Sequence, residues 1–69
     1  MKKHSITIKG HRTSYSLEEA FHSELEVIAK RENISMARLI TRIDKNRIEG
    51  ENLSSALRIF ILFDFKNRF

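Results

Sequence analysis

The chain has 69 residues, a net charge of +4 with its histidines neutral, and no cysteine, tryptophan or proline. That length allows a single domain, residues 1–69, and one too small to be comfortable unless a disulfide, a metal or a second subunit supplements its core. The composition excludes disulfides and thiolate metal sites, and His4, His11 and His22 are too scattered for a structural zinc site, so oligomerisation is the supplement left and no cofactor is expected.

Charge placement sets the N-terminal segment apart. Lys2, Lys3, Lys9 and Arg12 precede Glu18 with no acid among them, whereas the nine acids of the chain all lie from Glu18 onward and are matched there by nine bases. The excess therefore sits on one arm, either as a solvated tail or as a phosphate-binding segment. Within it, Ser5-Ile-Thr-Ile-Lys9 and Arg12-Thr-Ser-Tyr-Ser16 alternate apolar and polar residues and read as two short strands. A two-residue Gly10-His11 loop of type II′ would pair Ile8 with Thr13 and Ile6 with Tyr15 on a greasier face. Thr7 with Ser14 and Lys9 with Arg12 would lie on a polar, basic one.

Helix A is expected over residues 17–32. Ser16-Leu-Glu-Glu19 has the form of a capping box, and Leu17, Ala20, Phe21, Leu25 and Ile28 follow helical spacing up to Asn33, a left-handed stop. Helix B, residues 35–47, is capped by Ser35 and carries the stripe Met36, Leu39, Ile40 and Ile43, with Arg38, Thr41, Arg42 and Lys45 facing elsewhere. After Gly50, helix C runs over residues 52–66 with apolar residues on nearly every side from Ala56 to Phe63, which points to burial against a second subunit. Phe69 reads as a frayed terminus. The longest apolar run, Ile59 to Phe63, is far short of the roughly 20 residues of a membrane span, and no signal-peptide core follows Met1, so the expected location is the cytoplasm.

Arg12-Thr-Ser-Tyr-Ser-Leu-Glu-Glu19 and Ile34-Ser-Met-Ala-Arg38 resemble the strand-to-helix passage and the start of the second helix of the ribbon-helix-helix DNA-binding family, over residues 12 to about 44. Gly10-His-Arg-Thr-Ser14 and Asn52-Leu-Ser-Ser-Ala-Leu-Arg58 are similar to a bacterial subgroup of predicted regulators with an added C-terminal helix. The resemblance implies a mainly α homodimer with a short β ribbon, in which two chains each give one strand to an antiparallel ribbon lying in the DNA major groove. It implies that Arg12, Ser14 and Ser16 face the groove and contact bases, that Thr13, Tyr15 and Leu17 face the core, and that the backbone amides of Ser35, Met36 and Ala37, with Arg38 beside them, hold a phosphate. Lys2, Lys3 and Lys9 are the further phosphate-contacting candidates. A hairpin in each chain departs from this plan, because four strands at about 4.8 Å spacing overfill a groove about 12 Å wide.

The remaining residues read plainly. Phe21, Phe60, Phe63 and Phe65 are core residues at helical spacing, and His22, one turn from Glu18 and Glu26, is a solvated neighbour. Arg31, Arg42 and Arg47 read as solvated-face residues. No Gly-rich phosphate loop, paired carboxylates or nucleophile with an oriented base is present, so an enzyme is not expected. The function expected is a DNA-binding homodimer regulating transcription, with pairing of dimers into a tetramer through helix C as a further option. The alternatives are an antitoxin-type repressor bound to a toxin, or a dimeric protein-interaction module that has lost DNA binding.

Overall fold

A computed structural model describes residues 1–68; the expectation for Phe69 lies outside them. The chain forms two strands, β1 (Lys2–Ile8) and β2 (His11–Leu17), then three helices, α1 (Glu19–Arg31), α2 (Met36–Lys45) and α3 (Leu53–Arg68). The strands pair antiparallel from Ile8↔His11 out to Lys2↔Leu17, and they form the only sheet among the described residues.

The turn between them is Lys9-Gly10 rather than Gly10-His11. Both residues have positive φ, 50° and 80°, the signature of a type I′ turn, whose twist matches that of the strands. A methyl group on Gly10 would meet nothing within 4 Å, so it is the backbone conformation alone that favours glycine there. Moving the loop by one residue moves the register by two, so Ile6 faces Thr13 and His4 faces Tyr15, while each residue keeps its face of the sheet. Strand pairing thereby extends to Leu17, whose side chain is fully buried.

This extension overturns the capping box at Ser16. The backbone is still extended at Leu17, α1 begins at Glu19, and its N-cap position is held by Glu18 with no side-chain cap bond. Ser16 instead uses its amide, which donates to Ser54 Oγ on α3 at 3.2 Å. Ala20 is exposed, so the inward stripe of α1 consists of Phe21, Leu25, Ile28 and Ala29. The helix ends as expected at Asn33, with φ 58°. The Asn33 amide donates to the Lys30 carbonyl at 3.1 Å and the Ile34 amide to the Ala29 carbonyl at 3.0 Å, the paired bonds of a Schellman ending.

Ser35 caps α2 through its hydroxyl, which accepts from the Arg38 amide at 3.1 Å. Leu39, Ile40 and Ile43 are buried and Met36 packs beside them. Asn52 caps α3, its Oδ1 accepting from the Ser55 amide at 2.7 Å. From α3, Leu53, Ala56, Leu57 and Ile61 enter the core, which is completed by Ile8, Tyr15 and Leu17 from the sheet. The stripes of α1 and α2 are therefore covered within one chain, with α3 as the closing wall. What stays open is the far side of α3, where Ile59, Leu62, Phe63 and Phe65 are about half exposed and Arg68 lies over the Phe65 ring.

A candidate nucleic-acid interface

The hairpin has two unlike faces. One packs on the helices through Ile6, Ile8, Tyr15 and Leu17, with half-buried His4 and Thr13 among them. The other presents Lys3, Ser5, Thr7, Arg12 and Ser14 to solvent, with Ser16 partly covered at its end. Across this outer face Thr7 stands opposite Arg12, Ser5 opposite Ser14 and Lys3 opposite Ser16. A two-residue loop makes Ile8 and His11 a hydrogen-bonded pair, so by alternation these three are non-hydrogen-bonded pairs, whose side chains stand closest together. The face is thus a narrow polar strip of hydroxyls with a cation near each end.

Electrostatics separate this strip from the helical body. On the helices Arg31 pairs with Asp64 at 2.5 Å, Arg42 with Glu32 at 2.6 Å, Arg47 with Asp44 at 2.8 Å, Arg58 with Glu18 at 3.0 Å and Arg68 with Glu24 at 2.8 Å. The Glu18 carboxyl is held below the usual range by its own backbone amide and then by Arg58. Among the described residues Lys2, Lys3, Lys9 and Arg12 have no carboxylate partner, so the hairpin keeps its positive field while the helices cancel theirs.

The residues expected at the interface fall into three places. Lys3, Arg12, Ser14 and Ser16 share the outer face. Lys9 sits in the turn, and Lys2 lies opposite Leu17 on the other face, exposed only because the sheet ends there. Ser35, Met36, Ala37 and Arg38 form a separate patch at the start of α2, where the Ser35 hydroxyl occupies the Arg38 amide, the Met36 side chain is half-buried in the core, and Ala37 and Arg38 are exposed. Helix geometry leaves the Met36 and Ala37 amides without intrahelical acceptors. Arg38 has no carboxylate partner among the described residues, unlike Arg31, Arg42 and Arg47.

Sequence reasoning missed two features. Lys3 and Ser5 join Thr7, already expected on the polar face, in the outer strip, and the alternation of these three with His4, Ile6 and Ile8 was the available signal once β1 is extended back to Lys2. His4 and His22, distant in sequence, meet face to face, and periodicity carries no sign of such a contact between a strand and a helix. No group of three or more His, Cys, Asp or Glu among the described residues is placed to hold a metal ion, and no described helix is long and apolar enough to cross a membrane.

A family model described as the ribbon-helix-helix domain matches residues 1–65. The chain belongs to the ribbon-helix-helix family. The match takes in both strands, α1, α2 and most of α3, so the first strand and third helix lie inside the family pattern. Ribbon-helix-helix domains are DNA-binding regulatory domains rather than enzymes, and they typically bind DNA as dimers. No curated protein and no solved structure matches the chain at a significant level.

Proposed function

We propose that this ribbon-helix-helix protein is a sequence-specific DNA-binding homodimer of the cytoplasm that regulates transcription by laying its β ribbon in the major groove. The observation that carries the reading is the outer face of the hairpin: an exposed strip of small hydroxyl side chains bearing Lys3 and Arg12, both without carboxylate partners among the described residues. Small hydroxyls allow close approach to base edges, Arg12 can donate twice to a guanine, and the lysines neutralise phosphates. The free amides at the start of α2, beside Arg38, supply a phosphate clamp of the kind helix N-termini make.

The dimer contact in this reading is the open side of α3. Ile59, Leu62 and Phe63 lie along one arc of that helix, and a second copy covering them would remove from water the main apolar surface the chain leaves exposed. The same arc supports a second reading, an interaction module with another protein docked on α3.

Selection of bound duplexes from a random library, followed by titration of the selected site and a scrambled one, tests the function. A two-fold symmetric site bound about a thousandfold more tightly than scrambled DNA is expected. Absence of any enriched sequence, with a protein partner recovered on α3 instead, would favour the interaction module.

A further inference from the structure

β1 is part of the folded body and not a detachable arm. Ile8 is buried, Ile6 packs on the core, and the His4 ring lies on the His22 ring of α1 with centroids 3.8 Å apart. The edge of β2 that faces away from β1 is open along most of its length. With Ile8 and His11 a hydrogen-bonded pair, alternation turns the Arg12, Ser14 and Ser16 amides toward that edge. Ser54 Oγ takes the Ser16 amide, which leaves Arg12 and Ser14 at the open stretch. α3 packs against β2 and α2 against β1, so this edge lies on the α3 side of the chain, where the reading above places the second copy.

A ribbon made of one strand from each of two chains, as the family plan has it, therefore forms at β2, and the two β1 strands become the outer members of a four-stranded sheet. At the usual spacing of about 4.8 Å the β2 axes lie about 2.4 Å from the two-fold axis and the β1 axes about 7 Å from it. A major groove about 12 Å wide has its walls about 6 Å from its centre line. The β2 pair fits between the walls, whereas each β1 falls on a wall, where the phosphates run. The outer face of β1 suits that place, since it carries Lys3, Ser5 and Thr7, all exposed, and no acid. Ser5 and Thr7, opposite Ser14 and Arg12, are short enough for β1 to lie close on a phosphate row without lifting β2 out of the groove. Each hydroxyl has a proton to donate to a phosphate oxygen, and Lys3 adds a charge toward the end of the strand away from the turn.

We propose that β1 grips the DNA backbone: Lys3, Ser5 and Thr7 contact the phosphates that border the groove, while Arg12 and Ser14 of β2 reach the bases between them. This rests on the DNA-binding reading above. Four strands that are too wide to enter the groove together are then divided, two inside it and one on each wall. β1 contributes affinity and register, and sequence preference stays with β2.

The test uses the full chain, the duplex selected from a random library and a scrambled one. Ser5→Ala and Thr7→Val change exposed side chains, and circular dichroism and sedimentation of each variant should match the parent's. Each is expected to weaken binding to both duplexes alike, by about threefold to tenfold, and to leave base preference as it is. Uncharged methylphosphonate linkages at the phosphates bordering each half-site should weaken binding by the parent chain, and should cost the double variant less. Unchanged affinity of both variants for both duplexes would show β1 clear of the DNA. A loss confined to the selected duplex, with relaxed base preference, would place β1 among the bases. Either result overturns the proposal and leaves base reading by Arg12 standing. If the parent chain selects no duplex at all, the DNA-binding reading fails and this one with it.

Discussion

The imidazole of His4 on β1 lies flat against that of His22 on α1, the ring centroids 3.8 Å apart and the planes 6° from parallel. Tyr15, opposite His4 in the hairpin, continues the stack at 5.3 Å, and burial, with Glu26 second, pushes its phenol above the ordinary tyrosine range. His4 Nε2 is shielded from solvent with no hydrogen-bond partner among the described residues. The stack ties the hairpin to the first helix through contacts that suit neutral rings.

Stability should accordingly fall on acidification. Burial, then His22 and Lys2, lower the His4 pKa below its ordinary 6.5, with Glu19 and Glu26 pulling weakly the other way. A histidine whose folded pKa lies below its unfolded value binds its proton better when unfolded. Its contribution is present above about pH 6.5 and is lost as pH falls through the folded value. The thermal midpoint should drop from about pH 7 to about pH 5, and His4→Phe, which keeps a ring on His22, should flatten that drop. An unchanged pH slope in the variant would show that the stack is not the sensor.

The two sides of α3 should respond differently to truncation. Leu57 is fully buried, whereas Leu62 is 53 % exposed on the opposite side. Leu57→Ala should cost about 2–5 kcal/mol in denaturant unfolding, the range for a buried leucine that leaves a cavity. Leu62→Ala should cost no more than about 0.5 kcal/mol in the dissociated chain. Equal effects would mean that α3 is not a wall of this core.

Self-association should depend on the outer arc of α3. Sedimentation should show a dimer that dissociates on dilution into chains with unchanged helical circular dichroism, because the core is closed within each chain. Leu62→Glu should shift the equilibrium to monomer. A dimer that unfolds as it dissociates, or one indifferent to Leu62→Glu, would place the interface elsewhere.

Lys2 and Lys3 should act through charge alone. Their joint replacement by Ala is expected to weaken binding to all duplexes alike and to reduce the slope of log affinity against log salt by about 0.9 for each phosphate no longer neutralised. An unchanged slope would leave the two lysines as solvated surface.

Much of this was legible in the sequence because it is periodic or locally encoded. The alternation around Ile6, Ile8 and Tyr15 set the two faces of the hairpin, and the stripe of Leu39, Ile40 and Ile43 set the inward side of α2. Asn33 and Ser35 marked real boundaries because each acts on backbone groups within a few residues of itself. The turn register was not legible, since Lys9-Gly10 and Gly10-His11 preserve the same facing and differ only in how far the strands pair. The Ser16 cap failed for a related reason: burial of Leu17 keeps the chain extended past the residue whose local chemistry favours a helix start. The long-range contacts, Ser16 with Ser54 and His4 with His22, are products of the assembled fold and leave no local pattern. In the candidate site the outward parity of Arg12 and Ser14 followed from alternation, but the closure of the α1 and α2 stripes by α3 depended on packing.

The most direct test is the Arg12→Ala variant, titrated against the selected duplex and a scrambled one at the same salt concentration, after circular dichroism has shown the fold intact. Arg12 is exposed on the outer strip without a carboxylate partner among the described residues, so its removal should leave the body undisturbed. A bidentate arginine to guanine contact carries about 1–3 kcal/mol of discrimination, whereas a phosphate contact carries none. The predicted result is lower affinity for the selected site, little change for scrambled DNA, and relaxed preference at one symmetric position. An equal weakening on both duplexes would make Arg12 a phosphate ligand and contradict base reading by the hairpin.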